Sequence, residues 1–500
     1  MKQVHTKFGL PVLIAELGYQ SRSAAHKRPY GQLGRDATDG SVWVRAVDLE
    51  EQRKCFEAFF QAVYTQEWIA GVYWWLWRND PTHGGGCDDD FTPYGKPAET
   101  VLRKWFNASN PNSRAQTLIP KAIELMVKEE KSLIQHVPAI RFPKNYDPKS
   151  KQNGIVFGAG EWSSPIYKLD SPGTFESLES YAAIGGNSIK VLVTWYVDNI
   201  NSTLMYPAKY PSQLRTPSDT EISNFVKHAK SLGLMVQLGP YIDPNWDIQT
   251  NCRGPDCGKK GHWRGEIGTH FTEEMWEEFF KNYKNLYISH YAKLAQDINV
   301  DLFSVGAELA IPFTERQSDW SDVIKFVRTI YKGKLVAAVT NNVAITKPYL
   351  SFLPELDIIG VEGYFNIKTK AVNPSVDELK EAWVPIVQEL KDLSQATGKD
   401  IIFTEVGYQP RNASHTLPTG VNATDPFDSS VWQQTYNLAA QANCYEALLE
   451  SLYPEPWFKG VYWWLWRADP THGGSSDYTF TPRGKPAQIV LKRWYTGTAH

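Results

Sequence analysis

An ungapped internal repeat constrains this chain more than any other feature: residues from about 12 to 106 recur as residues from about 401 to 495. LIAELGYQ returns as IFTEVGYQ, GVYWWLWRNDPTHGG as GVYWWLWRADPTHGG, and FTPYGKPAETVLRKWF as FTPRGKPAQIVLKRWY. Trp43 and Cys55 match Trp432 and Cys444 in the same register, so one ancestral segment was copied. The copied unit is too long for a solenoid repeat and holds two strand signals around a helical stretch, which marks it as part of something larger.

That larger object is legible from about residue 150 onward. Apolar runs bounded by Gly, Asn, Asp or Pro alternate there with helix-like stretches: GIVFGAGEW, SIKVLVTWY, LMVQLGPYID, DLFSVGAEL, KLVAAVTNN, DIIGVEGYF, DIIFTEVGY and KGVYWWLWR. Continuous apolar strands suit a parallel sheet covered on both faces. FTEEMWEEFFKNYKNLYISHYAKL repeats Trp276, Phe279, Phe280, Tyr283, Tyr287 and Tyr291 at helical spacing. The expected fold is α/β, a (β/α)8 TIM barrel over 153–497. It is preceded by a partial barrel repeat over 1–108 that matches 398–497, and by a linker with one helix (IPKAIELMVKEEKSLIQH) over 109–152. Two copies of strands seven and eight compete to close one set of the first six. The contiguous copy is favoured because it closes without a long loop.

At 42% hydrophobic and 21% charged the chain has the composition of a globular protein. A net charge of -3 argues against nucleic acid as a partner, and no apolar run is long enough to span a membrane. A neutral partner is expected, bound by a monomer. No signal peptide is visible at the start, yet Cys252 and Cys257 in a Gly-rich loop and acceptor triplets at Asn107, Asn201, Asn412 and Asn422 favour a secreted or extracellular glycoprotein. Cys55 and Cys444 read as core packing. The 19 Trp and 25 Tyr exceed what such a core needs, so some are expected to face a ligand.

Chemistry in a β/α barrel sits where the strands end. Glu308 closes LFSVGAE on the fourth strand and Glu405 closes IIFTE on the seventh, which sets two carboxyls across one mouth. Glycosidic cleavage needs such a pair, one to protonate the departing oxygen and one to attack the anomeric carbon. Glu161 on the first strand and Glu362 on the sixth are rivals, the latter reading better as a packing or supporting residue. Strand ends also supply Trp195, Tyr196, Tyr241, Asp243, Tyr364, Trp463, Trp464 and Trp466. Strand alternation groups Trp464 with Trp466 on one face, and position at the catalytic end selects that pair for substrate. His83, His262 and His472 show no metal-ligand spacing, so neither metal nor cofactor is expected.

The segments TWYVDNINST, DPNWD, HWRGEI, FTEVGYQ, GVYWWLW and FTPRGKPA resemble the β-mannanases of glycoside hydrolase family 113, over about residues 153 to 496. The resemblance implies a retaining barrel with Glu308 as acid/base and Glu405 as nucleophile, the two residues that strand position also selects. It further implies that Tyr364 contacts the nucleophile, that Trp263 and Arg264 sit over the cleft, and that a strand-eight Trp underlies the reacting sugar. Ala307 stands where much of the large clan of retaining barrels to which that family belongs has Asn, and Gly239 and Tyr241 where Lys and His are expected, which leaves the 2-hydroxyl contact and the sugar open. The expected activity is endo-β-1,4-mannanase, with an oligo- or polysaccharide as the partner. The alternatives are a retaining glycosidase or glycanase for another β-linked sugar, and an inactive carbohydrate-binding barrel.

Overall fold

The computed structural model describes residues 1–21, 25, 47–75, 91–108, 133–158, 168–208, 216–245, 262–416, 418, 436–470 and 472–498. Glu161, His83, Cys87, Cys252, Cys257, Asn422, Trp43, Trp432 and most of the helix expected over 119–136 lie outside them. The chain divides into two compact units, Met1–Ser132 and Leu133–His500.

In the first unit, β1 (Val12–Leu17) and β2 (Ile69–Trp74) pair in parallel and pack on helices Leu49–Phe59 and Pro97–Ala108. Its local structure copies that of the matching end of the chain. Gln52 donates to the carbonyls of Tyr19 (2.8 Å) and Phe91 (3.1 Å), and Gln441 to those of Tyr408 (2.8 Å) and Phe480 (3.1 Å). Phe56 stacks on Trp74 at 3.9 Å between centroids, and Tyr445 on Trp463 at 3.8 Å. The difference lies on the other face of the sheet. Leu13 and Tyr73 are 52% and 64% exposed, whereas the matching Ile402 and Tyr462 are 0% and 1% exposed inside a barrel. Glu16, the counterpart of Glu405, is exposed on β1.

The second unit is that barrel. β3 (Gln152–Gly158), β4 (Ser188–Val197), β6 (Met235–Pro244), β7 (Leu302–Ala307), β8 (Lys334–Thr340), β9 (Ile358–Glu362), β10 (Ile401–Val406) and β11 (Phe458–Arg467) pair in parallel, and the β3–β4 and β11–β3 pairings close the ring. A short β5 (Tyr206–Pro207) folds back antiparallel on β4. All eight apolar runs become strands. Alternation sorts them: Ile189, Val191 and Val193 pack outward against the helices, while Val156, Leu192, Val336, Ile402 and Tyr462 fill the interior. Helices begin where Ser and Thr cap them, with Ser218–Glu221 and Ser375–Glu378 forming capping boxes. The aromatic helix expected around 271–294 forms as Glu273–Asn282 and Ser289–Asp297, joined by a π-turn at Tyr283–Ile288, and its six aromatics are buried. Residues 133–150 belong with the barrel: Phe142 and Tyr146 pack on Trp494, and Tyr146 donates to the Trp494 carbonyl at 2.9 Å.

One buried carboxyl makes this layer sensitive to pH. Glu446, 0% exposed, accepts from Trp494 Nε1 at 2.7 Å and from the Arg141 amide at 3.3 Å, with Glu450 one turn on. Burial pushes it up to about 8. The matching Glu57 also accepts from a Trp, Trp105, but beside solvent, where hydrogen bonds from Gln61 and Trp105 hold it low. Because the folded state favours protonated Glu446, its contribution is fully present below the ordinary carboxylate range and is lost as pH rises towards 8. Melting across that range should show wild type losing on the order of 2–4 kcal/mol more than Glu446→Gln. Parallel pH profiles for the two proteins would refute this.

Candidate active site

β7 ends at Ala307, and Glu308 follows in the left-handed region (φ 53°), its amide donating to the Ala338 carbonyl at 2.8 Å. A non-glycine residue held there costs roughly 1–3 kcal/mol and is characteristic of functional sites. Glu405 lies on β10 beside Glu362 on β9, within the register Ile401↔Ile359 to Glu405↔Glu362. Both strands end at the same mouth of the barrel, and the Glu405 charge is felt at Glu308.

The two carboxyls sit in different surroundings. Glu405, 5% exposed, accepts from Lys190 Nζ (3.1 Å) and the Tyr241 hydroxyl on Oε1, and from the Tyr364 hydroxyl (3.4 Å) on Oε2. Burial first, and then the Glu405 charge, push both phenols well above their ordinary value, so they stay protonated and donate. Glu308 accepts from Arg264 Nη1 at 2.6 Å and from Trp263 Nε1 at 3.3 Å. Arg264 grips Asp243 with its other nitrogens, Nε to Oδ1 at 2.7 Å and Nη2 to Oδ2 at 2.8 Å. Burial raises the Glu308 carboxyl, Arg264 opposes the rise and the Glu405 charge adds to it, leaving it above the ordinary carboxylate range. The site therefore holds one carboxylate surrounded by donors and one carboxyl biased towards its acid form.

Tyr241 lies between two cations, with Arg264 Cζ 4.5 Å and Lys190 Nζ 4.9 Å from its ring centroid. Lys190 was not singled out in the sequence. It comes from the middle of β4 and is fully buried, and it fits because its neighbour has no side chain: a Cβ on Gly239 would stand 3.1 Å from Lys190 Cε. The cation expected at position 239 is thus supplied from the adjacent strand.

Of the other selected residues, Trp263 is 39% exposed above Glu308, Trp464 is half-buried against the interior cluster, and Tyr364 adjoins Glu405. Four are placed differently from expectation. Asp243 is engaged with Arg264 rather than open to a ligand. Trp195 points outward, donating to the Tyr291 hydroxyl at 2.8 Å and packing on Tyr287, because residues 189, 191, 193 and 195 share the outer face of β4. Tyr196 is fully buried where β5 folds back along it. Trp466 also lies outside, donating to the Ser177 carbonyl at 3.1 Å, because an extra residue on β11 between Trp463 and Trp466 slips the alternation. The Trp464–Leu465 peptide within that bulge is cis. His472 of DPTHGG faces Asp477 (3.2 Å), which also pairs with buried Lys485 (3.0 Å), so this loop is tied by an ion network.

The model of glycoside hydrolase family 113 matches residues 1–96 and 160–485. The chain belongs to glycoside hydrolase family 113. Among solved structures it is similar to the family 113 β-mannanase AaManA from Alicyclobacillus acidocaldarius in complex with ManMIm, at 26% identity and a TM-score of 0.54, over 70% of this chain and 98% of that one. A second similar structure, a complex of a family 113 β-1,4-mannanase, is 24% identical, with a TM-score of 0.53 over 69% of this chain and 99% of the other, a likeness of fold. None of the curated proteins compared matches the chain significantly. The family makes the barrel a glycoside hydrolase with a carbohydrate substrate.

Proposed function

We propose that this family 113 barrel is an endo-acting β-1,4-mannanase that cleaves by double displacement, with Glu405 as nucleophile and Glu308 as acid/base. The observation that carries the reading is the asymmetry of the carboxyl pair: three donors converge on Glu405, while burial biases Glu308 towards the acid that a leaving oxygen needs.

In the first step Glu405 attacks the anomeric carbon and the glycosidic bond breaks, while Glu308 gives its proton to the departing oxygen. Water then enters, Glu308 takes its proton, and the ester to Glu405 is released with the anomeric configuration kept. Tyr364 and Tyr241 hold the nucleophile, and Arg264 holds Glu308 in reach of the leaving group. Trp263 and Trp464 offer aromatic faces for sugar rings. Glu16 lies on β1, which pairs with β2 alone among the described strands and is not a strand of the eight-stranded ring.

Mannan is favoured by likeness to AaManA over 98% of that chain. Hydrolysis of defined β-1,4-manno-oligosaccharides followed by proton NMR tests both points. Internal cleavage with the β-anomer appearing first is expected. The α-anomer first would overturn retention, and cleavage of another β-linked glycan in preference to mannan would overturn the substrate.

A further inference from the structure

Four carboxyls and two cationic side chains among the described residues meet near the mouth of the barrel, in two sets. Arg264 is shared by Asp243 and Glu308, and Lys190 by Glu405 (3.1 Å) and Glu362 (3.5 Å). Each set has two carboxyls for one cation. An unbalanced second negative charge in a buried site costs several kcal/mol, so each set is expected to retain one proton. In the first set Asp243 takes the bidentate Arg264 bond and the proton falls to Glu308.

The second set is decided by where the Lys190 donors go. An ammonium has three N–H groups. Those of Lys190 reach the Tyr241 hydroxyl (2.6 Å), the Thr404 carbonyl (3.1 Å) and Glu405 Oε1 (3.1 Å). None is left for Glu362. Its Oε1 accepts from Thr404 Oγ1 at 3.0 Å, and its Oε2, fully buried, has no hydrogen-bond partner. Glu405 therefore has three donors and Glu362 one.

We propose that Lys190 is the positioning residue of the nucleophile, and that the neighbouring Glu362 carries a resident proton, which leaves the Lys190 charge to Glu405. This rests on the hydrolytic reading for the role of Glu405. The groups facing Glu362 are Glu405, Lys190, Glu308, Thr404, Tyr241 and Tyr364, and burial together with the Glu405 charge holds its carboxyl well above the ordinary range, in keeping with the geometry. A neutral Glu362 packs beside the nucleophile without competing for its counter-ion, whereas an ionised one would share it.

Two measurements on the full chain test this. Infrared difference spectra at neutral pH between wild type and Glu362→Gln should show the loss of one protonated-carboxyl C=O band. An unchanged band would mean that Glu362 is ionised and would overturn the proposal. This readout needs no turnover, so it stands even if the hydrolytic reading fails or if Lys190→Met does not fold. For turnover, Lys190→Met should move the acidic limb of the kcat/KM profile upward by about 1–3 pH units, the effect of removing an opposite charge beside a carboxylate. A fall in kcat with that limb unmoved would reduce Lys190 to a packing role.

Discussion

Glu405→Ala is expected to lower kcat/KM on manno-oligosaccharides by about 10⁴-fold or more, since removal of a nucleophile that no neighbour replaces has effects of that order. Glu362, the carboxyl in the neighbouring β9 register position, lies fully buried and is not open to the sugar. Azide should restore turnover in this variant by entering the space left by the carboxylate, and its product should be the α-glycosyl azide, one inversion from the β-linked substrate. Activity within tenfold of wild type, or a β-azide, would remove Glu405 from the role.

Glu308→Gln is expected to cost about 10²–10⁴-fold on natural linkages, the range for loss of a general acid. The loss should shrink on aryl glycosides whose leaving group needs no proton. The pH dependence carries a sign. Burial and the Glu405 charge hold the Glu308 carboxyl above the ordinary range, so its acid form persists at low pH and wild-type activity declines as pH rises through that raised value. In Glu308→Gln no such group titrates, and the basic limb of the kcat/KM profile should flatten. A variant that kept the wild-type basic limb would mean that another group is the acid. Arg264, bonded to Glu308 at 2.6 Å, tempers the rise without reversing it.

Much of this was readable from the sequence because the relevant physics is local. Apolar runs of strand length, polar boundaries between them and carboxyls that end two otherwise apolar strands located the barrel and both glutamates. Residues whose surroundings depend on other strands were harder. Lys190 interrupts SIKVLVTWY and so left a signal, but its partners Tyr241, Thr404 and Glu405 come from β6 and β10, and pairing across the barrel is not written in any one segment. Trp195 was within reach of alternation, since it shares a face with Val191 and Val193; its place near a strand end outweighed that signal. Trp466 was not within reach, because one extra residue in β11 reverses the faces and nothing in WWLWR marks where the extra residue falls. The repeat shows the same limit in reverse. Near-identical sequences give the same Gln52 and Gln441 hydrogen bonds, yet Tyr73 is open and Tyr462 is enclosed, because enclosure depends on the strands that flank the sheet.

The carboxyl pair is tested most directly by trapping its intermediate. An activated 2-deoxy-2-fluoro-β-mannoside slows the second displacement more than the first, so the ester accumulates, and peptide mass spectrometry then reads which side chain carries the sugar. One equivalent of label on Glu405 is expected, accumulating more slowly in Glu308→Gln with a poor leaving group. Label on a different carboxyl, or none while the reagent turns over, would contradict the assignment.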